Sequence, residues 1–386
     1  MKPKQVISLL RDRKDIPLKY MPNKQQIGAY NCLCRKNLIE KEVQESKESL
    51  EKFLEAHALQ NAKSQNDLIC LESDLKAKNF LLIMTSKALL FNVIKQERAN
   101  QNSFLHVDAT YKLLRNGFCL LTLGTENSSH NFRFIACVIT SHEDGNSYER
   151  FLKRIKIALK DIFDFNWNPS WAVSDAADSI ANALSKIFPQ TEHIRCYFHT
   201  VKAVRDKITR WKINTEKKVL KDNWGLILHA LKLLHYTLED EEFVNLWKLI
   251  KIDWEKQLPI AFGTYFEKNF VSNRNNLRWN RMSKLGVNLT NNSLERFHLD
   301  IKNTYTKNKK MKISEFLFTS IRMIRDYSID HSDNFDKTPE ISTDVWKKAL
   351  RLLEKKEKGP YYDIKEDFAV FIKKKRDVKK FLERKK

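Results

Sequence analysis

The chain has 386 residues, 42% hydrophobic and 11% aromatic, and a net charge of +22. Eight glycines and eight prolines exclude a low-complexity chain, and the apolar content suffices for a packed core in two or three domains. The excess of 70 basic over 48 acidic residues fits a polyanionic partner, nucleic acid above all.

Six cysteines are scattered among apolar neighbours (Cys32, Cys34, Cys70, Cys119, Cys137, Cys196), so a disulfide framework is not expected and a reducing compartment is. Met1-Lys-Pro-Lys opens without the apolar core of a signal peptide. No apolar run approaches the roughly 18 residues of a membrane span, so no membrane association is expected.

Residues 1–65 read as a polar, basic, helical region with a possible DNA-binding role, in which Leu50, Phe53 and Leu54 mark an amphipathic helix within 38–59. From residue 66 the pattern changes. Phe80–Met84 reads as a strand, and Thr85-Ser86 can cap a helix through Glu97. Three strand-like runs follow, Phe104–Lys112, Phe118–Thr125 and Phe132–Thr140, with an Asn116-Gly117 turn signal after the first. Short connections make them antiparallel neighbours.

A helix is expected over Tyr148–Phe163, then a strand Trp171–Ser174, a helix stopped by Pro189, and a last strand His193–Phe198. This order is an α/β pattern. Residues 200–285 read as a wholly helical block, 286–325 as a returning helical region, and 326–386 as a lysine-rich helical tail.

Three acids stand out. Asp108 sits in Phe104-Leu-His-Val-Asp-Ala-Thr-Tyr-Lys112, Asp175 ends the strand Trp171-Ala-Val-Ser, and Glu295 lies on a helix pattern after Thr290-Asn-Asn-Ser-Leu. Acids delivered in this way can converge on a divalent metal pair, which activates water or a 3′-hydroxyl against a phosphodiester. Two ions of magnesium or manganese are expected, since magnesium prefers oxygen ligands. The plainer reading makes Asp108 and Asp175 strand-end caps. Asp178 is a rival to Asp175, one turn into the helix.

Cys196 and His199 can form half of a zinc site, but His229 and His235 are poorly spaced to complete it, so zinc is not expected. They read better as a packed thiol and a histidine beside the pocket. Asn291 and Asn292 are helix caps or DNA contacts, with equal weight. Arg278 and Trp279 lie in a basic stretch where the indole either stacks on an unpaired base or is simply core. His298 and Lys302 share the Glu295 helix face and are expected at the DNA backbone. Lys373-Lys-Lys-Arg376 with Lys379-Lys380 reads equally as a nuclear address or as a solvated helix face.

Together these motifs resemble the Mutator-like element (MULE) transposase family. Its Asp-Ala-Thr-Tyr strand is matched by Asp108–Tyr111, its Ser/Thr-Asp and alanine-rich helix by Ser174-Asp175-Ala176-Ala177, its Phe-Pro and Cys-x-x-His by Phe188-Pro189 and Cys196–His199, and its Thr-Asn-Asn by Thr290–Asn292. The resemblance, over about residues 80–320, implies a ribonuclease-H-like mixed sheet whose first part is 66–199, interrupted by the helical insertion before the third acid. It implies a DDE transposase in which Asp108, Asp175 and Glu295 bind metal, cutting and joining DNA as a homo-oligomer in the nucleus. The family's zinc finger and late Cys-His cluster are not visible here. Two alternatives are a DNA-binding regulator that no longer cleaves and a nuclease without strand transfer.

Overall fold

A computed structural model describes residues 47–99, 104–127, 131–175, 177–237, 240–272, 279–280 and 291–329, a few positions between 22 and 43, and the backbone of strands at 361–365 and 368–372. The opening helix α1 (Lys47–Ala56) buries Leu50 and Phe53. A seven-stranded sheet follows, in the order β1-β2-β5-β4-β3-β6-β7. Its strands are β1 (Ile69–Asp74), β2 (Leu81–Thr85), β3 (Phe104–Thr110), β4 (Cys119–Glu126), β5 (Phe132–Thr140), β6 (Trp171–Ser174) and β7 (Glu192–Arg195). From β1 to β3 the neighbours are antiparallel, while β3, β6 and β7 run parallel.

Local chemistry sets the boundaries. Ser86 caps α2 (Lys87–Arg98), its hydroxyl accepting the Leu89 N–H at 3.1 Å. Asp144 does the same for α3 (Gly145–Phe163), accepting from Ser147 N–H at 2.8 Å. Gly117 supplies the left-handed turn (φ 87°) between β3 and β4 that a side chain would strain.

The sheet is covered on both faces. On one, α3 and α4 (Asp178–Ile187) pack Phe151, Ile155, Ile180 and Leu184 against Leu105, Val107 and Leu121. On the other, α10 (Asn292–Asp300) and α11 (Ile313–Ile329) pack Leu294, Phe297, Phe316 and Met323 against Leu120, Phe134 and Ile139. All eight residues of β4 are buried, as a central strand under two layers demands.

Between these layers in sequence, residues 197–271 hold α5 (Tyr197–Thr209), α6 (Asn214–Asp222), α7 (Trp224–His235), α8 (Asp240–Gln257) and α9 (Ile260–Phe266), with a π-turn at Glu267–Val271. They share an aromatic core built around Trp247, Trp254, Phe262, Phe266 and Trp279.

Three expectations need correction. The edge strand β1 was not expected, because Ile69-Cys-Leu-Glu-Ser-Asp carries only a weak apolar alternation. The strand expected over His193–Phe198 stops at Arg195, and Cys196 starts α5 instead. The tail is not wholly helical, since Tyr361–Lys365 and Phe368–Ile372 pair as antiparallel strands. The Cys32–Cys34 segment, the 273–278 stretch, Thr290 and the basic cluster at 373–380 lie outside the described residues.

Candidate active site

Strand register brings the first two acids together. His106 of β3 pairs with Val173 of β6, and two residues further along these parallel strands come Asp108 and Asp175. Period-two alternation puts His106, Asp108 and Thr110 on the sheet face opposite Leu105 and Val107, toward α10. Glu295 sits in the first turn of that helix. Asp108, Asp175 and Glu295 line one cleft of about 520 Å³, shared with Glu143, His199, His298 and Lys302.

The acids of this cleft repel one another. Burial pushes the Asp108 carboxyl up to about 7, helped by repulsion from Asp175, Glu295 and Glu143 and opposed by the Ala109 N–H. Glu143 is raised chiefly by burial, and the Tyr148 hydroxyl donates to its Oε1 at 2.9 Å. Asp175 Oδ1 also accepts the Ala177 N–H at 3.1 Å, so the turn-capping reading of this acid holds beside its place in the cleft.

Two histidines face the acids in neutral form. His298 is held down to about 3 by burial and by Lys302; its Nδ1 lies 3.9 Å from Asp108 Oδ2 and its Nε2 2.6 Å from Thr122 Oγ1. A tautomer with Nδ1–H turned to Asp108 makes the Thr122 hydroxyl the donor to Nε2. His199 Nε2 is 3.6 Å from Glu295 Oε1, but burial lowers its pKa below the usual histidine value, so this contact is not an ion pair at neutral pH.

The helix of Glu295 is tied down at its start. Asn291 does not cap it through its side chain; the side chain instead bonds His106 Nδ1 at 2.9 Å and donates to the Val107 carbonyl at 3.4 Å. Its N–H meets Cys196 Sγ at 3.3 Å. Cys196 is fully buried and its thiol pKa is raised by burial, so it packs between elements. Asn292 is exposed at the first helical position.

For two residues weighed as DNA contacts the structure favours packing. Trp279 is 1% exposed, donates its indole N–H to the Phe270 carbonyl at 2.8 Å, and belongs to the helical core, so it offers no face to a base. His298 is buried against Thr122 and Asp108 rather than turned to a DNA backbone. Lys302 does line the cleft, from a π-turn (Ile301–Tyr305) that continues α10. Arg278 lies outside the described residues.

Sequence reasoning missed Glu143, Tyr111, Lys112 and Lys202, which also line the cleft. Tyr111 and Lys112 directly follow the Asp-Ala-Thr strand, a signal available in the sequence. Glu143 precedes the helix-capping Asp144, and nothing in its spacing points to Asp108.

Hard oxygen donors in one cleft, around a buried carboxyl repelled by its acidic neighbours, fit a divalent ion in chemistry. As the side chains stand, no group of three or more His, Cys, Asp or Glu among the described residues is gathered closely enough to hold one. Among the described residues no helix is long and apolar enough to cross a membrane.

No curated protein matches the chain. The MULE transposase domain model matches residues 104–203, a segment that contains Asp108, Asp175, Cys196 and His199 and ends before Glu295. Residues 104–203 thus resemble a MULE transposase domain, which supports a transposase-related reading of that segment.

Proposed function

We propose that this chain is a DDE-type DNA transposase with a ribonuclease-H-like core, in which Asp108, Asp175 and Glu295 hold two magnesium or manganese ions. The observation that carries this reading is the shared cleft: acids from two adjacent parallel strands and one helix, drawn from positions far apart in sequence, act on the same buried carboxyl. The sheet order supports the fold, with a three-strand antiparallel meander continued by two parallel strands. The helices between Tyr197 and Val271 are then an insertion ahead of the returning Glu295 helix.

When bound, the ions would lower the pKa of an attacking water or 3′-hydroxyl and neutralise charge on the phosphate. The chain's own residues do the rest. Asp108 and Asp175 would hold the ions from adjacent strand ends, and Glu295 would join them from a helix whose start is pinned by Asn291. Neutral His298 and His199 steady Asp108 and Glu295 without competing as cations. Attack on phosphorus breaks the bond to the O3′ of the neighbouring nucleotide, which leaves as a 3′-hydroxyl able to attack a second strand.

The test incubates the full chain with a labelled duplex in magnesium, manganese or EDTA. Metal-dependent nicks carrying 3′-hydroxyl ends are expected. A chain that binds the duplex but never cuts it in any divalent metal is a DNA-binding regulator instead.

A further inference from the structure

The cleft has a second chemistry around its acids. Lys112, Lys202 and Lys302 line it from three different elements: the β3–β4 connection, α5 and the π-turn after α10. None of them forms an ion pair among the described residues, although carboxylates share the same walls. Lys302 has its pKa lowered by burial and by the nearby Lys112, with Asp108 opposing. Like charges that share a cleft disfavour each other's protonated form, and a bound anion relieves this.

The backbone at Lys112 is unusual. It has φ 69°, a left-handed conformation uncommon for a residue with a side chain. The next residues hold it there. Leu113 and Leu114 are buried, the Met311 N–H bonds the Leu113 carbonyl at 2.8 Å, and the Arg115 N–H bonds the Met311 carbonyl at 2.9 Å. Such local strain persists where the surroundings over-determine it, and it collects at ligand clamps.

The residue before it is an aromatic left in the open. Tyr111 is 47% exposed on the cleft wall, and Leu299, 57% exposed, provides a second apolar surface there. The bases of an intact duplex have both faces covered by stacking, so an aromatic at the reacting position can meet only a base that has left the stack.

We propose that Lys112, Lys202 and Lys302 grip consecutive phosphates of one DNA strand across the acids, and that Tyr111 stacks on an unpaired base of that strand. The cleft therefore takes its substrate locally melted. This rests on the reading of the cleft as a DNA site, but not on its being able to cut.

The test measures binding of the full chain in EDTA, so cleavage plays no part. The probes are a labelled 20-base-pair duplex and the same duplex with a central three-nucleotide bubble. The bubbled probe should bind more tightly to the wild type. Lys112→Ala, Lys202→Ala and Lys302→Ala should each reduce the slope of log affinity against log salt by about 0.7, the value for one single-strand phosphate contact. Tyr111→Ala should lower affinity for the bubbled probe by at least about fivefold, the low end for one base–aromatic stack, and Tyr111→Phe should restore it. Unchanged slopes in the lysine variants, or an undiminished bubble preference in Tyr111→Ala, overturns the proposal whether or not the chain cuts DNA. These shifts in EDTA together with no cutting in magnesium or manganese would instead retire the catalytic reading and keep the binding one.

Discussion

His106 Nδ1 and Asn291 Oδ1 lie 2.9 Å apart although 185 residues separate them in sequence. This bond joins the strand of Asp108 to the first residue before the helix of Glu295. Behind it, His106 Nε2 is 3.6 Å from Glu126 Oε1, and the Ser293 hydroxyl donates to the same oxygen. The placement of the third acid thus depends on a buried polar strap rather than on apolar packing alone.

Asn291→Ala removes the centre of that strap. It leaves a buried imidazole nitrogen without its partner, which costs about 1–3 kcal/mol. Urea unfolding should report that loss. Cleavage should fall further than stability explains, because Glu295 loses its register. Equal cleavage at matched folded fraction would show that the strap does not position the helix.

The acid cleft gives stability a pH dependence of readable sign. The Asp108 carboxyl is near 7 in the fold against an ordinary value of 3.8. Between these pH values the folded state keeps a proton that the unfolded chain has lost, so stability falls as pH rises through the window. The full effect is on the order of 4 kcal/mol. In EDTA, Asp108→Asn should therefore be the more stable protein at pH 8, with the difference closing by about pH 4. A variant less stable than wild type at pH 8 would contradict the buried, repelled carboxyl.

His298 works in the opposite direction. Its pKa is about 3 in the fold against 6.5 ordinarily, so between these values the unfolded chain binds the extra proton and stability falls as pH drops. Thr122→Val keeps the shape but deletes the hydroxyl 2.6 Å from His298 Nε2. A loss of about 1–3 kcal/mol at pH 7 is expected from thermal or urea melts.

Gly124 marks a bulge where β4 shifts register against β5. A Cβ there would meet the Phe132 ring at 2.2 Å and the Arg133 carbonyl at 2.7 Å. Gly124→Ala should cost about 1–3 kcal/mol, since the carbonyl belongs to the paired strand and cannot step aside. An unchanged unfolding midpoint would refute this close approach.

Much of the sheet was legible because its central strands are buried on both faces and read as apolar runs, as in Cys119–Glu126. Cys196-Tyr-Phe was misread as strand because a short apolar run has no period of its own. Asp108 and Asp175 were legible as acids breaking such runs. Glu143 and Lys202 were not, because they meet the acids only after the chain has crossed the sheet. Trp279, read either as a base-stacking indole or as core, is core: His235 Nδ1 bonds its carbonyl and its indole N–H donates to the Phe270 carbonyl.

The most direct test of the account compares metal-dependent nicking of one labelled duplex by four variants at matched DNA occupancy. Asp108→Asn, Asp175→Asn and Glu295→Gln should each lose at least about 100-fold in rate, since several kcal/mol of charge stabilisation goes with the metal. Asp178→Asn, at the first turn of α4 and not among the residues of the cleft, should cut like the wild type. Full activity in any of the first three, or loss confined to Asp178→Asn, would contradict a site built from Asp108, Asp175 and Glu295.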